Sequence, residues 1–129
     1  MIKKRKILIV VANYYRSISG SLLNSAKKSL MKSFKIEVKT VPGVFEIPVV
    51  ISKNIKKFDG FIALGCVIKG ETPHFDFISK ATIEEIMRLS VKNKKPIGNG
   101  IITCLNMKQA GERKNKGEEA ANAVNSVLD

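Results

Sequence analysis

The sequence predicts an α/β fold, a three-layer α/β/α sandwich of about four parallel strands, and three observations carry that prediction. Apolar runs too short for helices alternate with longer amphipathic stretches. Most of the runs are continuous rather than alternating, as strands covered on both faces are. Breaks rich in Gly, Pro, Asn or Asp divide one element from the next. Strand–helix–strand units of this kind are joined right-handedly, which leaves helices on both faces of one sheet. With 129 residues, 44% of them hydrophobic, the chain reads as a single domain over 1–129 that can bury its own core.

Residues 7–12, ILIVVA, form the first predicted strand. A helix is expected from residue 19 to about residue 33, because Leu22, Leu23, Ala26, Leu30 and Met31 recur on one face. Residues 36–41 alternate as IEVKTV, the pattern of a strand at a sheet edge with one face less covered, and Pro42-Gly43 ends it. The second helix is expected over 45–57, where Ile47, Val50, Ile51 and Ile55 keep helical spacing and Pro48 fits only in the first turn. After Asp59-Gly60, residues 61–68 are the most uniformly apolar run and should lie centrally in the sheet. A third helix is expected over 72–92, and residues 93–96 separate it from a fourth strand over 97–104 that Gly98 and Gly100 should break. Residues 107–128 read as helix with a break near 111–117.

The formal charge is +12, and no acidic residue precedes Glu37. Such a balance suits nucleic acid, an acidic membrane surface or an anionic substrate. The lysines, however, are spread along helical faces (Lys27, Lys28, Lys32 and Lys35; Lys53, Lys56 and Lys57) and are not interleaved with aromatics that could stack on bases. They read as a solvated surface and argue against a nucleic-acid partner. The apolar run after the basic first residues is too short for a signal-peptide core or a membrane span, so the expectation is a cytoplasmic protein with no membrane partner. Cys66 and Cys104 lack CxxC or Cys/His spacing and are expected to be buried free thiols rather than metal ligands.

In a parallel α/β sheet, ligands bind beyond the carboxyl ends of the strands. Here those ends run into NYYRS (13–17), PGVFE (42–46), KGETPH (69–74) and LNMKQ (105–109). In KGETPH, Gly70 allows a tight turn, Thr72 can cap the third helix and Pro73 suits its first position. The free N–H groups of such an end make an anion site, and His74, the only histidine, would lie within one turn of it. At this point His74 has two readings, a proton carrier beside a bound anion or a capping-turn residue with no chemistry.

Three stretches together resemble one family. VPGVFEIPVV (41–50), GCVIKGETPHFDFI (65–78) and NKGEEAANAV (115–124) are similar to the signature segments of the lumazine synthases, and ILIVVANYYRSIS (7–19) and KPIGNGIIT (95–103) match that family's first and fourth strands. The resemblance runs in order over nearly the whole chain, and the family's flavodoxin-like fold agrees with the pattern above. It implies condensation of 5-amino-6-ribitylamino-2,4-pyrimidinedione with 3,4-dihydroxy-2-butanone 4-phosphate to 6,7-dimethyl-8-ribityllumazine, without metal or organic cofactor.

By the same resemblance Tyr14 holds the pyrimidinedione ring by stacking. Val44, Phe45, Glu46, Cys66, Val67 and Ile68 then surround its ring and ribityl chain, and Asn99 lies beside the ring. Gly70, Glu71 and Thr72 form the phosphate loop, Arg113 reaches that phosphate from a neighbouring subunit, Lys116 approaches the ribityl and ring atoms from the same neighbour, and His74 is the catalytic proton carrier. A site shared in this way implies a homo-oligomer: a pentamer in the family, in some members twelve pentamers closing into a shell of sixty subunits, with association to riboflavin synthase. The sequence departs from the family pattern in one place, where only Lys114 separates Arg113 from Asn115. Two other readings stay open from residues alone. One is a flavodoxin-like protein that binds a flavin or nucleotide phosphate without turnover, and the other is a basic nucleic-acid-binding module.

Overall fold

The computed structural model describes residues 4–71 and 74–128. Its sheet contains β1 (Lys6–Ala12), β2 (Lys35–Val41), β3 (Gly60–Ile68) and β4 (Ile97–Cys104), all parallel, in the order β2-β1-β3-β4. The helices are α1 (Arg16–Ser29), α2 (Ile47–Lys53), α3 (Phe75–Asn93), α4 (Met107–Glu112) and α5 (Lys116–Leu128). This is the predicted three-layer sandwich with the flavodoxin-like strand order. β1 and β3 form its inner pair, and the chain's path reverses between them, which opens a crevice at their carboxyl ends.

Two apolar clusters hold the layers. Ile7, Ile9 and Val11 of β1 pack with Leu22 and Ala26 of α1 and with Ala121 and Val124 of α5 on one face. Leu8, Val10 and Ala12 pack with Ile47 and Ile51 of α2 and with Ile86 and Leu89 of α3 on the other. Each large side chain buried in this way contributes about 1.5–3 kcal/mol, so layer packing outweighs the tenths of a kilocalorie by which helix propensities differ. β3 is buried along its whole length, as a central strand should be, whereas β2 exposes most of its residues at the sheet edge. Among the described residues no helix is long and apolar enough to cross a membrane.

Several element ends move from their predicted positions for local reasons. Helix α1 begins at Arg16 rather than at residue 19 and stops at Ser29, where Leu30 turns to extended backbone. Ser19 is already inside the helix and buried, and its hydroxyl donates to the Ala12 carbonyl, tying the first turn to the end of β1. Residues 44–46 form a separate 3-10 turn before α2, with Pro48 in the first turn of that helix as expected. Helix α2 ends at Lys53 rather than at residue 57, because Asn54 leaves helical backbone and donates its side-chain amide to the Val50 carbonyl at 2.8 Å. Helix α3 starts at Phe75, with His74 in the capping position; Thr72 and Pro73, proposed from sequence as cap and first residue, lie outside the described residues.

Gly98 and Gly100 do not break β4, which is continuous from Ile97 to Cys104. They are required for packing. A Cβ on Gly98 would stand 2.2 Å from the Ala120 carbonyl oxygen, and one on Gly100 would stand 2.4 Å from Leu64 Cδ2. Gly117 has the same function one layer out, where a Cβ would meet the Leu22 carbonyl oxygen at 2.2 Å. Helix α5 therefore lies directly on β4 and α1, closer than any larger residue permits.

Candidate active site

The crevice at the carboxyl ends of β1 and β3 is a cavity of about 270 Å³. Tyr14 and Tyr15 come to it from the end of β1, Val44 and Phe45 from the PGVFE turn, Cys66 and Val67 from β3, and Glu71 from the loop beyond. The turn can seat against the sheet because position 65 is glycine; a Cβ there would stand 2.5 Å from Val44 Cγ1. Val44 is accordingly buried, while Phe45 is 65% and Tyr14 69% exposed. Two open aromatic faces beside an apolar floor suit a flat, partly polar ring. Tyr14 packs edge to face on Tyr15, with centroids 4.9 Å apart and planes at 78°.

Glu46 stands just outside the cavity lining and closes the 3-10 turn, with its Oε1 accepting from the Gly43 N–H at 3.0 Å. A carboxylate has four lone-pair positions, so one such bond leaves capacity for hydroxyl donors. Cys66 and Cys104 are both free and buried, as expected. Burial, and then the neighbouring Cys104, push the Cys66 thiol up to about 12. It is a neutral wall of the cavity and a poor nucleophile at ordinary pH. The Ile68 side chain is fully buried, so only its backbone faces the loop, and its carbonyl accepts from the Glu71 N–H at 3.3 Å.

Beyond β3, Gly70 adopts φ +89°, a left-handed conformation that explains its glycine. Glu71 follows, and the Tyr15 hydroxyl donates to its Oε2 at 3.0 Å. Burial, followed by that hydrogen bond and the charge of Glu71, raises the Tyr15 phenol well above its ordinary value, so it remains a donor. Thr72 falls outside the described residues. His74 is exposed at the start of α3 and makes no side-chain cap bond; its ring lies 6.3 Å from that of Phe77. The capping reading of His74 therefore has only the backbone position to support it.

Asn99, Arg113 and Lys116 are elsewhere. They line a second cavity of about 600 Å³ on the β4 side, with Ile83, Thr103 and Glu119 among its other walls. Asn99 Oδ1 accepts from the Ile101 N–H at 3.0 Å, which satisfies a donor in edge strand β4. Arg113 follows α4 and donates through Nη1 to the Thr103 carbonyl at 2.7 Å. Lys116 opens α5 and places Nζ 3.5 Å from Glu119 Oε2. The short connection through Lys114 thus keeps Arg113 and Lys116 on one cavity. Sequence reading missed Tyr15, Gly43 and Ile78 in the first cavity, and Thr103 and Glu119 in the second. All five lie inside stretches singled out in the sequence, NYYRS, VPGVFEIPVV, GCVIKGETPHFDFI, KPIGNGIIT and NKGEEAANAV, but their residue types did not mark them.

A family model described as 6,7-dimethyl-8-ribityllumazine synthase matches residues 4–129. Curated relatives bearing that name include the protein of Bartonella tribocorum, 44% identical over 96% of this chain and 88% of its own length. The protein of Agrobacterium fabrum is 40% identical over 98% of this chain and 94% of its own length. That of Corynebacterium kroppenstedtii is 37% identical over 89% and 77%.

Proposed function

Because this chain belongs to the 6,7-dimethyl-8-ribityllumazine synthase family, we propose that its two cavities are the two halves of one active site, brought together between neighbouring subunits. The chain is an enzyme of riboflavin biosynthesis, a transferase that joins 5-amino-6-ribitylamino-2,4-pyrimidinedione to 3,4-dihydroxy-2-butanone 4-phosphate. That assignment does not favour a flavin carrier without turnover or a nucleic-acid-binding module. The observation that supports the shared site is the division of the candidates: Tyr14, Val44, Phe45, Cys66, Val67 and Glu71 surround one cavity, and Asn99, Arg113 and Lys116 another.

In this reading the pyrimidinedione stacks on Tyr14 against Val44, Phe45, Cys66 and Val67, and its ribityl hydroxyls donate to the carboxylate of Glu46. The backbone after Gly70, with Thr72, holds the phosphate of the second substrate, and Arg113 and Lys116 of the adjacent subunit close over the pair beside Asn99. The pyrimidine amine attacks the butanone carbonyl, water leaves to give an imine, and phosphate is then eliminated. Isomerisation and ring closure follow, with loss of a second water. His74, next to the loop, takes and returns the protons. Amine and ketone condense readily, so most of the acceleration comes from holding both partners in one place, where effective molarities reach about 10⁵–10⁸ M. No metal or organic cofactor enters the scheme. The pentamer, a sixty-subunit shell built from it, a cytoplasmic location and association with the riboflavin synthase that consumes the product belong to the same proposal.

Turnover of the two substrates to the lumazine, followed by its absorbance, tests the activity directly. For the phosphate half, Arg113→Ala should raise the KM for the butanone phosphate by about tenfold or more, because a charge-assisted bond is worth about 1.5–3 kcal/mol. The KM for the pyrimidinedione should change little, and an equal rise for both would point to an assembly defect instead. The shared site has a separate test. At butanone phosphate well below its KM, where each variant alone is poorly active, mixing dissociated His74→Ala and Arg113→Ala subunits in equal amounts should give about a quarter of native activity, since one adjacent pair in four joins two intact halves. An active monomer in light scattering would remove the proposal.

A further inference from the structure

The hydroxyl of Tyr15 reaches across the crevice to Glu71, joining the loop after β1 to the loop after β3 at the point where the sheet's winding reverses. The two residues are 56 positions apart in sequence. Tyr15 is itself anchored: half-buried, it packs on the cluster formed by α1, β1 and α5, and it meets the Tyr14 ring edge to face. Glu71 is exposed on a turn whose geometry Gly70 sets by its left-handed backbone. A free carboxylate on such a turn would repel a phosphate arriving at the same backbone. A carboxylate bonded to a phenol on the far wall is turned aside and partly neutralised.

We propose that Tyr15 is a positioning residue for the phosphate-bearing substrate: it draws the Glu71 carboxylate away from the loop, and holds the Tyr14 ring at the same time, so that the two substrate pockets keep a fixed separation. This rests on the reading that the backbone beside Gly70 receives the phosphate. The Tyr15 ring packs on the core cluster, and its phenol, raised above its ordinary value by burial and by Glu71, stays a donor to the carboxylate.

Tyr15→Phe removes the hydroxyl and leaves the packed ring, so folding should be unaffected. Freed, Glu71 can swing toward the phosphate. The KM for the butanone phosphate should then rise about fivefold, the size of a partly solvated charge interaction, while kcat and the KM for the pyrimidinedione move by less than about twofold. In a Glu71→Gln background, where no charge remains to restrain, Tyr15→Phe should have no further effect on the KM for the butanone phosphate. An equal rise for both substrates, or a penalty that persists in the Glu71→Gln background, overturns the role of Tyr15. Glu71→Lys separates this from the reading beneath it. A cation in the loop must lower the KM for a phosphorylated substrate if the phosphate binds there. No shift with Glu71→Lys overturns the phosphate loop itself, and the role of Tyr15 with it; a shift with Glu71→Lys but none with Tyr15→Phe overturns Tyr15 alone.

Discussion

Replacing His74 with alanine should lower kcat about 100-fold and leave pyrimidinedione binding intact. Positioned acid–base groups contribute about 10²–10⁴-fold, and the lower end applies because the condensation is intrinsically easy. The imidazole stands at the start of α3, one loop from Gly70, and forms no cap bond that would hold it to the backbone. In the proposed mechanism this leaves it to exchange protons with the imine nitrogen and the leaving phosphate. Steady-state kinetics beside calorimetric titration of each substrate would separate the roles. Unchanged kcat in His74→Ala would return the residue to a turn position without chemistry, whereas loss of pyrimidinedione binding would mean that the substitution had disturbed the crevice.

Gly98→Ala should destabilise the protein by about 3 kcal/mol, seen as a fall of about 10 °C in the thermal unfolding midpoint. The added methyl would stand 2.2 Å from the carbonyl oxygen of Ala120 and 2.8 Å from its carbon, both backbone atoms that no rotamer change can move. Helix α5 would have to lift off β4. Since α5 begins at Lys116, the second cavity would deform as well, and activity should fall below what the loss of folded protein explains. Gly20→Ala is the control: its Cβ meets nothing within 4 Å, and in a helix the change should be neutral or stabilising by up to about 1 kcal/mol. Equal behaviour of the two variants would refute the argument from close packing.

The strands could be read from the sequence because β1, β3 and β4 are short apolar runs and β2 an alternating one, all bounded by turn residues, and each begins and ends within a residue of the stretch that announced it. Helix ends were less readable. Neither the start of α1, where Tyr15 caps without a side-chain bond, nor the early end of α2 at Asn54 carries a strong local signal. The glycines of β4 were misread because a strand pattern shows only the strand's own preferences; the helix that presses on Gly98 comes some twenty residues later in the sequence, and the Leu64 side chain that crowds Gly100 comes from the neighbouring strand β3. For the candidate site, the loops were identified correctly as strand ends, and the quoted motifs supplied the residues. The resemblance already set Arg113 and Lys116 apart from Tyr14 and Phe45 by assigning them to a neighbouring subunit; the place of Asn99 beside them depends on strand order, which motifs do not state. The bond from Tyr15 to Glu71 depends on it too.

The position of α5 also bears on how the protein is made. Helix α5 covers the same face of the sheet as α1, and side-chain bonds from Asn125 to the Ser29 carbonyl and from the Met31 N–H to Asn125 fasten the two together. Arg5, ahead of the first strand, donates to the Leu128 carbonyl at 2.6 Å. On a ribosome adding about 5–20 residues per second, strands β1, β2 and β3 emerge with α2 and α3 to cover one face, but the other keeps a bare apolar stripe until the last helix has left the tunnel. That face is therefore completed only once α5 has emerged. Until then, the nascent chain has little besides its many lysines to keep that stripe from associating with other chains.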